Sequence, residues 1–170
     1  MMRKTKRFQV KHANSLWQMY DTVSFWKVVK NFIVIQISRY TPFLRVKNWL
    51  YRVFLRMKVG DKTAFGLMAM PDIMFPEKIT VGNNSIIGYN TTILCHEYLI
   101  DEYRIGEVII GDEVMIGANS TILPGVTIGD RAIVSAGTLV HKDVQPGSFV
   151  GGNPMQVIYT KEEMEHRQQE

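Results

Sequence analysis

The chain has 170 residues, 46% of them hydrophobic, which suits a single soluble globular domain with an appendage. One cysteine, Cys95, excludes an internal disulfide and fits a reducing compartment, and no uninterrupted apolar run reaches the length of a membrane span. The net charge of +4 hides an asymmetry: residues 1 to 62 hold 14 Lys and Arg against Asp21 and Asp61, a balance of +12, and residues 63 to 170 hold 6 against 14 Asp and Glu, a balance of −8. Such a split suggests that the N-terminal part faces something anionic.

Residues 1 to about 13 are polar and basic, with Arg3, Lys4, Lys6, Arg7 and Lys11, and are expected to form a mobile tail. No cleavable apolar region with a small-residue site follows them, so a cytoplasmic location is expected. From about 15 to 40 runs an aromatic and aliphatic stretch with Trp17, Phe25, Trp26, Phe32, Ile33 and Ile37, ended by Pro42. A second segment, from about Phe43 to Lys58, interleaves Arg45, Lys47, Arg52, Arg56 and Lys58 with Leu44, Trp49, Leu50, Val53, Phe54, Leu55 and Met57. Both segments read as helices. The second is basic, aromatic and amphipathic, the composition of a helix lying at an anionic membrane surface.

From Val59 onward the chain falls into sixes. Blocks open at Val81, Ile87 and Ile93, and again at Ile110, Ile116, Ile122, Ile128, Val134 and Val140. Gly follows the opener at 82, 88, 111, 117 and 129, and a small or β-branched residue stands four places on, from Ser85 and Thr91 to Thr138 and Val144. A period of six is neither that of a strand nor that of a helix, and it signals a parallel β-helix. Three blocks close one turn of a triangular coil, so that openers stack on openers in one apolar column. Gly, Asn and Asp at the corners are expected to supply positive φ. The phase slips around Met70-Pro71-Asp72 and breaks again at 99 to 103, resuming at Arg104; insertions of this kind often line a binding site. A second reading of the basic helix follows from this fold, because a solenoid needs its open end capped and a cap's basic face is ordinarily just solvated. After Val150 the repeat dissolves into a short strand and a polar helix from about Lys161.

Cys95-His96, Ile110-Gly-Asp-Glu-Val-Met-Ile-Gly-Ala-Asn119, Leu123-Pro-Gly-Val-Thr-Ile-Gly-Asp130, His141-Lys-Asp-Val144 and Gly151-Gly-Asn-Pro154 together resemble the hexapeptide-repeat acyltransferases, within them the maltose, galactoside and sugar O-acetyltransferase branch. The resemblance covers roughly residues 59 to 158. It implies a mainly β fold, a left-handed parallel β-helix, with domains at 1–58 (helical extension), 59–154 (acyltransferase) and 155–170 (strand and helix tail). It also implies a homotrimer with active sites between neighbouring coils, acetyl-CoA as co-substrate and no metal. The family's catalytic histidine falls on His96, which takes the role of general base. Asp72, Glu97, Asp101 and Glu102 are the acids that could orient its ring, with Asp72 and Glu97 retained as site residues. For the CoA groove the resemblance points to Ala118, Ser135, Ala136 and Gly137, with Lys142 on a phosphate. The family's asparagine one coil upstream is absent here, where the chain reads Leu67-Met68-Ala69-Met70. Cys95 is disfavoured as a nucleophile because neighbours on a strand point to opposite faces.

Three functions follow. The first is acetyl transfer to a hydroxyl of a sugar or saccharide. The second is acyl transfer at the inner face of the membrane to a lipid-linked or envelope glycan, with peripheral contact through residues 15–58. The third is a non-catalytic scaffold. No motif supports a nucleic-acid partner, and a basic patch alone is weak.

Overall fold

The computed structural model describes residues 3–167. Met1, Met2 and residues 168–170, the ends of the expected tail and of the expected last helix, lie outside the described residues.

The N-terminal segment is a strand. Thr5–Gln9 (β1) runs antiparallel to a later hairpin strand over five residue pairs, and Phe8 stacks on Tyr103 at 4.7 Å. The expectation of a mobile tail is thus corrected: an open hairpin edge offers unpaired N–H and C=O groups, and the alternating basic segment satisfies them. The stretch 15–40 is broken. A 3-10 turn (Ser15–Gln18) leads into α1 (Met19–Thr22), the backbone extends at the buried Val23, and α2 occupies Phe25–Tyr40. Thr41 before Pro42 is extended. The next helix, α3 (Leu44–Val53), is shorter than the composition suggested. No described helix is long and apolar enough to cross a membrane.

The repeat then winds as three-sided coils. The first holds β2 (Lys58–Val59), β3 (Ala64–Phe65) and β4 (Met70–Pro71). The second holds β5 (Ile79–Val81), β6 (Ile86–Ile87) and β7 (Thr92–Ile93), then throws out the hairpin β8 (His96–Tyr98) and β9 (Glu102–Gly106). The third holds β10 (Val108–Ile110), β11 (Met115–Ile116) and β12 (Thr121–Ile122), the fourth β13 (Thr127–Ile128), β14 (Ile133–Val134) and β15 (Leu139–Val140). β16 (Phe149–Gly151) closes the stack with the antiparallel β17 (Gln156–Tyr159), and α4 (Lys161–Arg167) follows. Three parallel sheets result: a first from β2, β5, β10 and β13, a second from β3, β6, β11, β14 and β16, and a third from β4, β7, β12 and β15. Every opener from Val81 to Val140 is buried, as are the small slots at Ser85, Thr91, Val114, Ser120, Val126, Ala132, Thr138 and Val144.

Two details of the repeat differ from expectation. The glycines after the openers do not serve positive φ. A Cβ on Gly117 would lie 2.4 Å from the backbone N of Ala136, and one on Gly88 2.6 Å from that of Ala118. They are glycines because stacked coils approach too closely for a side chain. Left-handed backbone falls two residues later, at Asn84, Asn90, Glu113, Asn119 and Arg131. The second detail is the cap. In the strands, alternate N–H groups of each coil donate to carbonyls of the next coil, as Gly66 N does to Ile87 O at 2.7 Å and Gly117 N to Val134 O at 2.8 Å. The strand carbonyls of the first coil therefore have no donor from the chain before it. α3 supplies them: Lys47 Nζ donates to Phe65 O and Gly66 O, Asn48 Nδ2 to Thr63 O, and Arg52 to Val59 O and Gly60 O. Lys47 is accordingly buried and not part of a solvated basic face, and Arg52, though exposed, is held on the same row of carbonyls; together they close the stack.

Candidate active site

Asp72 and His96 meet at the corner where the third sheet turns towards the first. Pro71 ends β4 and places Asp72 at the phase slip; Ile93 ends β7 and carries the chain through Cys95 to His96. The Asp72 carboxylate is buried and collects four donors. Its Oδ1 accepts from Met74 N and Phe75 N, each at 2.8 Å, and its Oδ2 from Cys95 N and His96 Nδ1, each at 2.6 Å. Burial by itself raises a carboxyl pKa. Here the hydrogen bond and charge of His96 and the backbone N–H groups of Phe75 and Cys95 outweigh it, and Asp72 is held below the usual carboxylate value. An ionised carboxylate only accepts, so Nδ1 of His96 donates in the shared hydrogen bond, and in the neutral imidazole Nε2 is the acceptor nitrogen. Phe75 and Tyr98 flank the ring edge-on, with centroids at 6.2 and 5.3 Å, and the Tyr98 hydroxyl bonds to Thr22 Oγ1 on α1.

The other acids are elsewhere. Glu97, next on β8, points away from the imidazole and accepts from Arg3 Nη1 at 2.8 Å. Glu102 is engaged by Arg104 and Gln9, and Asp101 sits at the hairpin turn. Cys95 is fully buried, and burial pushes its thiol pKa far up, which removes it as a nucleophile. His141 Nδ1 lies against Leu139 O. Among the described residues no cluster of three or more His, Cys, Asp or Glu side chains is placed to hold a metal ion.

The small residues lie at the other end of the third-sheet strands. Ala118 follows β11, Ser135, Ala136 and Gly137 follow β14 one coil on, and Gly137 N donates to Ala118 O at 2.8 Å. Ala136 and Gly137 are exposed, and a Cβ at Gly137 would meet nothing within 4 Å, so this corner is an open, shallow edge. Within one chain it is separated from His96 by the width of the third sheet. Lys142, by contrast, follows β15 on the His96 corner, two coils on, and with Lys161 lines a cleft of about 470 Å³ at the C-terminal end. No motif in the sequence marks Phe75, Tyr98 or Thr22 as neighbours of His96, and Arg3 stands out only as one cation of the basic N-terminal segment. Tyr98 was findable, because it stands two residues from His96 on a strand and shares its face; the others come from distant segments.

Residues 107–142 match the family model described as hexapeptide repeat of succinyl-transferase. The chain is 77% identical, over 98% of its length and 96% of the relative's, to the Bacillus subtilis (strain 168) protein named "Putative acetyltransferase YvoF". It is 47% identical, over 86% of its length and 91% of the relative's, to the similarly named SAS0727 of Staphylococcus aureus (strain MSSA476). Among solved structures it superposes on the hexapeptide-repeat acetyltransferase VCA0836 of Vibrio cholerae, crystallised with acetyl coenzyme A, at a TM-score of 0.65 and 21% identity, covering 86% of this chain and 97% of that one. A galactoside acetyltransferase with coenzyme A gives a TM-score of 0.62 at 20% identity over 96% and 89% of the two chains. At such identity the structures speak for the fold. The near-full-length relatives, together with the repeat, place the chain in the family of hexapeptide-repeat acetyltransferases.

Proposed function

We propose that the protein transfers the acetyl group of acetyl-CoA directly to a hydroxyl of a sugar or saccharide, with His96 as general base and Asp72 as the residue that positions it. The observation that carries this reading is the Asp72–His96 pair: one ring nitrogen tied at 2.6 Å to a buried, fully hydrogen-bonded carboxylate, the other left to take a proton. His96 Nε2 accepts the acceptor hydroxyl's proton as that oxygen bonds to the acetyl carbonyl carbon. The carbon–sulfur bond then breaks, and the leaving thiolate recovers the proton from the imidazolium. Phe75 and Tyr98 limit rotation of the ring. Glu97 supports the hairpin from outside the site, through Arg3.

Ala118, Ser135, Ala136 and Gly137 are suited to a pantetheine arm, since nothing bulky rises from that corner, and Lys142 is suited to a phosphate. The solved neighbours crystallised with CoA or acetyl-CoA support this use of the fold. They also support the left-handed sense of the coil. The separation of the small-residue corner from His96 within one chain favours a homotrimer, in which one copy's groove completes another copy's dyad. The outward side chains of the second sheet offer a surface for it: Ile86 and Met115 are exposed, with Ile133 and Phe149 partly so. The 1–58, 59–154 and 155–170 division corresponds to cap and strap, catalytic solenoid, and closing tail.

Thiol release from acetyl-CoA across a panel of sugars tests the reading. Sugar-dependent release by the wild type is expected, falling about 10²–10⁴-fold in a His96→Ala variant that keeps the circular dichroism of the wild type. Wild-type rates from the variant would remove His96 as the base, and an absence of release with every sugar in the panel would favour a scaffold.

A further inference from the structure

α2 is mixed on its inner side and apolar on its outer side. Its inner face buries Val34 and Ile35 against the solenoid, and its outer face presents Phe25, Trp26, Phe32, Ile33, Ile37 and Tyr40, all between 48% and 75% exposed. At 100° per residue these six fall on one stripe, and the stripe carries no charge. Apolar surface of this extent marks an interaction site. The chain's three tryptophans belong to the same cap: Trp17, Trp26 and Trp49 are 82%, 75% and 53% exposed.

The charge around the stripe identifies what covers it. Lys11, Lys30, Arg45, Arg56 and Lys58 are exposed, and between residues 10 and 58 the one acidic side chain is Asp21. A second copy meeting this face would set cation against cation, whereas the outward face of the second sheet, neutral and apolar, has no such penalty. Exposed Trp and Tyr with flanking Lys and Arg are the composition that settles at the headgroup level of an anionic bilayer. We propose that the outer face of α1, α2 and α3 docks the enzyme on anionic phospholipid.

Because every tryptophan lies in the cap, intrinsic fluorescence reads this surface directly. The full chain is mixed with phosphatidylglycerol or phosphatidylcholine vesicles carrying brominated acyl chains, at low and high salt. The expected result is flotation with phosphatidylglycerol at low salt and quenching of the tryptophan emission, both lost with phosphatidylcholine and at high salt. The exposed pair Trp26→Ser and Ile37→Ser should lower partitioning at least about tenfold at an unchanged unfolding temperature. Failure to bind phosphatidylglycerol at low salt, or equal binding by the variant, overturns the proposal. So does a variant whose elution volume changes while vesicle binding does not, because the face would then join copies. His96→Ala should bind vesicles as the wild type does, so docking and acetyl transfer fail separately.

Discussion

The third and fourth coils and the coil that carries His96 share the same strands and inward aliphatic residues, yet they dispose of their backbone groups differently. In the regular coils the strand N–H groups mostly find carbonyls in the adjoining coils, as Gly111 N does in Ile128 O at 2.9 Å and Leu123 N in Val140 O at 3.0 Å. Where one turns to an acid it does so singly, as Asp112 N to Asp130 Oδ1 at 2.9 Å and Thr127 N to Asp143 Oδ1 at 2.8 Å. At the interrupted corner the ladder opens, and the N–H groups of Met74, Phe75 and Cys95 turn to one carboxylate instead. Regular stacking engages backbone groups one by one; the interruption gathers three of them on one buried acid, and that acid holds a histidine. The comparison teaches that stability and chemistry occupy different parts of one repeat.

The sharpest way to break it is to attack the stacking itself. Gly117→Val puts a branched side chain where even a Cβ lies 2.4 Å from Ala136 N, and backbone cannot yield as a flexible side chain does. We expect loss of more than about 3 kcal/mol, with little folded protein, read by calorimetry and circular dichroism. Next comes Asp72→Asn, which acts on the interrupted corner alone. It swaps an acceptor facing Cys95 N–H and His96 Nδ1 for a donor, and it should cost about 3 kcal/mol and at least about tenfold in rate. Its pH signature separates it from a packing defect. Asp72's pKa is depressed in the folded state, so its contribution is full above its unfolded value near 3.9 and is lost as pH falls through the lower folded value. Below about pH 4 the unfolding temperature of the wild type should fall more steeply than that of the variant. The smallest effect concerns the end of the stack: Lys47→Met keeps the volume but leaves Phe65 O and Gly66 O unserved, for about 1–2 kcal/mol in denaturant unfolding with vesicle binding unchanged.

Much of the solenoid was legible beforehand, because a six-residue period places each opener on the same inner edge whatever lies around it. The strand and helix after Val150 were legible for the same local reason. Positive φ at the corners falls on Asn84, Asn90 and Asn119 and on Gly125, Gly137 and Gly147, as the repeat suggested, but not on the glycines that follow the openers: there the sequence shows that a side chain is missing, and only the neighbouring coil shows why. The tail became a strand because its partner, β9, lies about a hundred residues on, beyond any local signal. His96 stood out through its motif and its place beside an insertion, whereas Asp72 was one acid among four until coil stacking brought it across 24 residues to Nδ1. Lys47 and Arg52 read as surface cations, since nothing local announces a row of carbonyls lacking donors.

The amino-acid order by itself determined the coil, its inward column and the location of a candidate base, His96, at a break in the repeat, because side-chain direction follows from position within the period. The tertiary structure decided which acid meets that base, what the basic helix does and which face is left uncovered. Those outcomes depend on hydrogen-bond groups and surfaces contributed by segments far apart in the chain, whose pairing is fixed only when one coil lies on the next.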